Sequence, residues 1–203
     1  RDVHLSSSKS YLEMTEKMVS DFNNGQRIFV TPVDFSSISY PLTYAAVGGS
    51  VKIENCYEID RYQADSCLLD LLSSIGTKLE QTDNGLVCKN AGKLNSFELD
   101  CSACPDLVPA LTFLALFCDG KSKLKKLEVL RHKESDRLTE IMKILSTLKV
   151  PFEFNKEETS LTILGPIKSA KKASIMLPAD HRMVMMTYMI LSKFSGGEID
   201  HVE

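Results

Sequence analysis

From Arg131 to Arg137 the chain reads Arg-His-Lys-Glu-Ser-Asp-Arg, three cations and a histidine interleaved with two carboxylates. An apolar series follows at once. Leu138, Ile141, Met142, Ile144, Leu145 and Leu148 recur at the spacing of an amphipathic helix. Ser135 or Asp136 is therefore the predicted N-cap. Lys133, Glu134 and Arg137 then stand around a helix N-terminus, where free N–H groups and the macrodipole favour an anion. Glu134 among cations stays ionised and can exchange a proton with a bound substrate. The competing reading is a solvated loop laced with local ion pairs.

Two further places carry chemical groups at helix starts. Asp106 follows Pro105 ahead of an apolar run, as either an N-cap or an acid/base group. Asp180-His181-Arg182 opens another such run, with two basic residues in its first turn. Cations there oppose the macrodipole, so the arrangement costs stability unless an anion or carboxylate is bound. A salt bridge from Arg182 to Asp180 or to another carboxylate is the structural alternative. If the three helix starts share a rim, Asp106, Lys133, Glu134, Arg137, His181 and Arg182 line one cleft. Two acids among several cations suit a small, strongly anionic substrate that needs proton transfer.

The elements that position these groups repeat. An Asp ends a strand-like segment, a nearly all-apolar helix follows, then glycine, then a β-rich run. Copies start at Asp34, Asp106 and Asp180, spaced by 72 and 74 residues. In the complete copies a second, amphipathic helix follows (Asp65 to about Ile75, then Ser135 to about Leu148), and two strands close the unit. Lys78 to Cys88 is the clearest such pair, with an Asn84-Gly85 hairpin signal. Each unit reads β-α-β-α-β-β, an α/β fold (α+β in its layering). The first helix of each is apolar all round and must be buried, whereas the second keeps one wet face. The predicted divisions are about 31–97, 98–170 and a partial 171–203. Residues 1–30 read as the tail of another domain's last unit, with a short helix from Leu12 to Val19, a turn at Asn23-Asn24-Gly25 and a strand from Arg27 to Val30. Pro41 within the first buried helix requires either a start near Tyr40 or a kink.

Composition limits the alternatives. With 203 residues, 43% of them hydrophobic, the chain can bury a sizeable core. A net charge of -3 and the lack of a broad basic face argue against nucleic acid or a membrane surface as partner. No apolar run is long and charge-free enough to span a bilayer. The six cysteines lie within apolar runs, which fits reduced, cytoplasmic thiols. Cys101-Ser-Ala-Cys104 lacks a second pair or a histidine at metal spacing, so no metal or other cofactor is called for. The opening Arg1-Asp-Val-His and the end at Glu203 read as a piece of a longer protein.

Taken together, Arg131-x-Lys-Glu-Ser-Asp-Arg137 and Asp180-His-Arg-Met183 resemble the enolpyruvyl transferases, in particular the branch acting on shikimate 3-phosphate. Asp100-x5-Asp106-Leu-Val-Pro-Ala-Leu111 and Asp34-x-Ser-Ser-x-Ser-Tyr40 match in the same order. Ser8-Lys-Ser-Tyr11 is similar to the family's Ser-Lys-Pro-Tyr segment, with Ser10 in place of proline. The resemblance implies an inside-out barrel, with buried parallel helices and sheets outside, in two domains of three units each. It implies transfer of the enolpyruvyl group from phosphoenolpyruvate to the 5-hydroxyl of shikimate 3-phosphate, with glyphosate as inhibitor, no cofactor, and a cytoplasmic monomer.

Carried over by position, the resemblance gives Arg137, His181 and Arg182 to phosphoenolpyruvate. Glu134 would exchange the proton at the methylene carbon, and Asp106 would take the proton of the attacking hydroxyl. Lys133, Ser8 and Tyr11, with Asp106, would bind shikimate 3-phosphate. Val33 and Val129 depart from residues common in the family, glycine and asparagine respectively, without removing an acid/base group. The family's N-terminal lysine, its Ser-Ser-Gln phosphate site, an arginine and a C-terminal lysine lie outside these residues, so the chain alone is expected to be inactive. A UDP-N-acetylglucosamine enolpyruvyl transferase or a non-catalytic module with the same fold are the alternatives.

Overall fold

In the computed structural model, residues 9–194 and 196–200 are described. Three helices form the interior: α2 (Phe35–Val47), α4 (Val108–Ala115) and α6 (His181–Lys193), which pack on one another. Every residue of α4 is buried, as its unbroken run of apolar side chains requires. Phe113 at its centre stacks on Tyr44 of α2, and Phe117 beyond its end stacks on Phe194 beyond α6. Burying each of Leu111, Phe113 and Leu114 contributes about 1.5–3 kcal/mol.

The repeat is visible in the strand pairing. In the first unit α2 leads to β1 (Ser50–Ile53), then helix α3 (Cys67–Ser74), then the hairpin β2 (Lys78–Thr82) and β3 (Gly85–Lys89). Strand β3 lies between β1 and β2, antiparallel to both. Two short strands, β4 (Leu94–Asn95) and β5 (Glu98–Asp100), then lead to α4. In the second unit β6 (Cys118–Lys125), α5 (Arg137–Thr147), β7 (Phe152–Asn155) and β8 (Ser160–Gly165) repeat the same order, with β8 between β6 and β7. The strand that precedes α4, and likewise the one that precedes α6, pairs parallel with the strand that follows the helix. This holds for β5 with β6 and for β9 (Ser174–Met176) with β10 (Glu198–Asp200). The Asn84-Gly85 turn closes as predicted. Gly85 has φ +123°, and a Cβ there would collide with the carbonyl of Ile53.

Several expectations need correction. Arg27 to Val30 is not a strand: among the described residues no neighbour pairs with it, and Ile28 and Val30 are 83% and 89% exposed. The N-terminal helix α1 is longer than expected, Lys9–Asn23, and has no buried residue. Helix α2 starts at Phe35, not near Tyr40, and runs through Pro41. The proline lies on its exposed side, as does Ser37, whose carbonyl loses its usual helical donor. Nor is α6 apolar all round: His181 and Tyr188 are exposed, and Tyr188 borders a 540 Å³ groove between α2 and α6. The expected final strand runs to Asp200, and its continuation lies outside the described residues. Among the described residues no helix is long and apolar enough to cross a membrane.

Candidate functional site

The starts of α2, α4 and α6 carry Asp34, Asp106 and Asp180, and the three carboxylates do different work. Asp34 accepts the N–H of Ser36, and Asp180 accepts the N–H of Arg182, so both cap their helices. Asp106 caps nothing. It sits in the 3₁₀ turn Pro105–Leu107 that leads into α4, and no side-chain cap bond is made at that helix start. Its Oδ1 instead accepts from Arg137 Nη1 at 2.7 Å, pairs with Lys133 Nζ at 3.2 Å and lies 3.9 Å from Arg182 Nε. The cap reading of Asp106 therefore fails, and its carboxylate is turned to the cluster of cations.

Arg137 is the centre of that cluster. Asp136 caps α5 by accepting from Thr139 N–H, so Arg137 opens the helix and its side chain turns inward, with no exposed area. Nε donates to Asp180 Oδ2 at 2.8 Å, Nη1 to Asp106, and Nη2 to Glu134 Oε2 at 2.5 Å. Ser135 Oγ also donates to Asp180 at 2.9 Å. The loop between β6 and α5 thus ties the starts of α4 and α6 together through one guanidinium. Three carboxylates (Asp106, Glu134, Asp180) face three cations (Lys133, Arg137, Arg182) at this rim.

The electrostatics follow from these partners. Burial alone would raise the pKa of Asp106, but Arg182, Lys133 and Arg137 outweigh it and hold the carboxyl below its ordinary value. Asp180 behaves likewise: burial opposes ionisation, and the bonds from Arg137 and Ser135 more than reverse it. Both are ionised at neutral pH. The Tyr40 phenol is pushed up to about 12 by burial, against the pull of Arg182. Its hydroxyl is close enough to feel that guanidinium, but it makes no hydrogen bond of ordinary geometry.

Of the residues singled out by sequence, Asp106, Lys133, Glu134, Arg137 and Arg182 come together. Their exposures differ. The Glu134 side chain is 52% exposed and that of Asp106 28%, Arg182 is mostly covered, and Arg137 is sealed beneath its partners. His181 stands exposed in the first turn of α6. Tyr11, on α1, reaches the same rim: its phenol feels the charges of Asp65, Asp106 and Asp34. Ser8 lies outside the described residues. Arg182 does not pair with Asp180 through its side chain, because Arg137 holds that carboxylate. Asp180 as a buried anchor, Ser135 and the pair Ser36–Asp65 were missed by sequence reasoning. Only the recurrence of Asp at each helix start pointed towards the first of them.

The six cysteines are free thiols. Burial raises the thiols of Cys88 and Cys118 to about 11 and about 12, which keeps them protonated and unreactive. Cys101 and Cys104 are buried, and their thiols donate to the backbone carbonyls of Leu99 and Asp100. Among the described residues no group of three or more His, Cys, Asp or Glu is placed to hold a metal ion.

The chain matches the family model described as EPSP synthase (3-phosphoshikimate 1-carboxyvinyltransferase) over residues 2–203. The 3-phosphoshikimate 1-carboxyvinyltransferase of Sulfurisphaera tokodaii is 28% identical over 97% of this chain and 51% of its own length. That of Methanococcoides burtonii is 33% identical over 86% of this chain and 41% of its own length. Among solved structures, EPSP synthase from Acinetobacter baumannii superposes with a TM-score of 0.67 at 22% identity, over 85% of this chain and 43% of that one. The enolpyruvyl transferase NikO from Streptomyces tendae gives 0.65 at 15%, over 84% and 39%. These two likenesses show the fold. The chain spans about half the length of the curated relatives it matches.

Proposed function

The chain belongs to the EPSP synthase (3-phosphoshikimate 1-carboxyvinyltransferase) family, and on that premise we propose that it supplies the acid/base half of an enolpyruvyl-transfer site. The observation that carries this reading is the Arg137 hub, where Asp106 and Glu134 share a guanidinium. The reaction adds the 5-hydroxyl of shikimate 3-phosphate to C2 of phosphoenolpyruvate while a proton reaches C3. Loss of that proton and of phosphate then regenerates the enol ether.

Asp106, ionised and facing Lys133, would accept the hydroxyl proton, and Glu134, having taken up a proton from solvent once displaced from Arg137, would give it to C3 and take one back in the elimination. Lys133 and Tyr11 would hold shikimate 3-phosphate, with Ser8. Arg182, Arg137 and His181 would hold phosphoenolpyruvate, forks of N–H donors suiting its carboxylate and phosphate. In the empty site Glu134 occupies Arg137 Nη2. An incoming anionic group that takes this donor would release Glu134 to work at the neighbouring carbon. Because Glu134 is the most exposed of the three carboxylates, it is the easiest to displace.

In this reading residues 1–30 end one domain and 31–203 form most of the other. The whole protein would be a cytoplasmic monomer inhibited by glyphosate. The test is phosphate release from phosphoenolpyruvate in the presence of shikimate 3-phosphate. A full-length protein carrying these residues should show saturable turnover, and the 203-residue chain alone should show none. Turnover by the chain alone would overturn the divided site, and a full-length protein inert towards shikimate 3-phosphate would overturn the substrate assignment.

A further inference from the structure

Lys133, Glu134 and Ser135 are consecutive, and their side chains reach three different places. Lys133 Nζ pairs with Asp106, at the start of α4, at 3.2 Å. Glu134 Oε2 accepts from Arg137 Nη2, and Ser135 Oγ donates to Asp180 Oδ2, at the start of α6, at 2.9 Å. None of the three lies in a helix or strand: they form the bend between the 3₁₀ segment Glu128–His132 and α5. The Ser135 carbonyl accepts from Arg137 N–H at 2.8 Å, a bond that stays inside the loop. What ties the backbone around Glu134 to the rest of the site is therefore side chains.

A ligand acts on these ties differently. Lys133 and Arg137 are cations, and an anionic substrate competes for both. Asp180 has no exposed side-chain area, so no ligand reaches the bond that Ser135 makes. Asp180 is itself held in place, because its other oxygen accepts the Arg182 N–H at 3.0 Å. It is also ionised, since the bonds from Arg137 and Ser135 outweigh its burial. The Ser135 bond is thus charge-assisted, roughly twice as strong as a neutral one. Arg137 Nε shares the same oxygen at 2.8 Å, but from the end of a long, many-jointed side chain. A serine hydroxyl is one carbon from its backbone. Holding Oγ therefore holds the Cα of Ser135, and with it the neighbouring Glu134, against the start of α6.

We infer that Ser135 is a positioning residue, whose hydroxyl, held by Asp180, keeps Glu134 in place once a ligand has displaced the Glu134 carboxylate from Arg137. Its use in proton transfer rests on the proposed function, whereas the tether itself belongs to the empty site. A proton donor must come within about 2.6–3.2 Å of the atom it serves, and a misplacement of about 1 Å can cost on the order of 10²-fold. Ser135 holds neither substrate in this reading, so its loss falls on turnover and not on binding.

The experiment is a pair of double-mutant cycles in a full-length protein carrying these residues. The first is read as turnover with phosphoenolpyruvate and shikimate 3-phosphate. Ser135→Ala should lower kcat by about tenfold or more and leave both KM values within about twofold. Ser135→Thr, which keeps the hydroxyl, should recover most of the loss. Added to Glu134→Gln, Ser135→Ala should change kcat by less than about twofold, because no proton transfer at residue 134 is left to misplace. Should the alanine variant fold poorly, Ser135→Cys fills the same space with a weaker donor and should show part of the same fall. An unchanged kcat, a threonine variant as slow as the alanine one, or losses that multiply independently overturn the inference.

The second cycle needs no turnover. Ser135→Ala should lower the folding equilibrium constant by about tenfold or more, the worth of a bond to a charged group, and should cost markedly less once Asp180→Asn has removed the charge. Equal losses in the two backgrounds overturn the tether whatever the enzyme does. A coupled pair in a protein whose kcat ignores Glu134→Gln overturns only the proton-transfer role of Glu134.

Discussion

Replacing Arg137 by Met removes the guanidinium that three carboxylates share while keeping much of its length. The loss falls unevenly. Glu134 and Asp106 are partly exposed and can rehydrate, and Asp106 keeps Lys133, so each loses about 0–1 kcal/mol, as for a surface pair. Asp180 has no exposed side-chain area and would keep only the Ser135 hydroxyl and the Arg182 N–H. Removing one partner of a buried pair costs about 3–5 kcal/mol, and most of that cost sits on Asp180. Urea unfolding followed by circular dichroism should show a loss of that size in Arg137→Met, and a melting point lower by about 6–20 °C. Adding Asp180→Asn should restore most of it, because the amide still caps Arg182 and carries no charge. A loss under about 1 kcal/mol, as at a surface pair, or no gain from the second change, would refute the buried-pair reasoning.

Three more outcomes are expected. In a full-length protein carrying these residues, Glu134→Gln should lower kcat by about 10²–10⁴-fold with KM little changed, since the amide keeps the reach to Arg137 but cannot carry a proton. A change within about threefold would make Glu134 an electrostatic positioner instead. Arg182→Lys should raise KM for phosphoenolpyruvate and leave KM for shikimate 3-phosphate near its starting value, because a point charge replaces a fork; equal rises in both constants would count against the assignment. Acid should act with two signs. The depressed carboxyls Asp106, Asp136 and Asp180 stabilise the fold above the unfolded-state value, and that contribution disappears as pH falls below about 4. Asp65 is raised from 3.8 to about 6, so its cost to stability grows as pH rises from about 4 to about 6 and is present in full above that. Unfolding at a series of pH values should therefore find Asp65→Asn more stable at pH 7, by on the order of 1–3 kcal/mol, and equal to the parent near pH 4; an advantage that does not vary with pH would contradict the raised value.

Much of the architecture could be read from residue order because local and global signals agree there. The uninterrupted apolar run of α4 allows only a buried helix, Asn84-Gly85 allows only a tight hairpin, and Asp136 ahead of an amphipathic run makes a cap. Arg27 to Val30 shows the limit, since a strand-like segment becomes a strand only if a neighbour supplies partners. The site was legible as a set of residues and not as a set of bonds. Asp34, Asp106 and Asp180 occupy the same place in the repeat. Asp180 caps its helix while also holding Arg137, and Asp106 meets Arg137 from a 3₁₀ turn without capping; those differences are tertiary facts with no periodicity to reveal them. Ser36 and Asp65 stand 29 positions apart, and neither carries a pattern of its own.

Tandem repeats such as ankyrin arrays lengthen, shorten and recombine by whole units because each copy meets its neighbours through similar surfaces. The knot at Arg137 closes that route here. Its guanidinium comes from the second unit, and its carboxylates come from that unit and from the start of the third. Deleting or exchanging the second or the third copy would strand an unpaired charge in the interior before it touched any surface. Descent of these two copies is therefore confined to point changes inside units that have become unlike one another, and each of the two is bound to its place in the order.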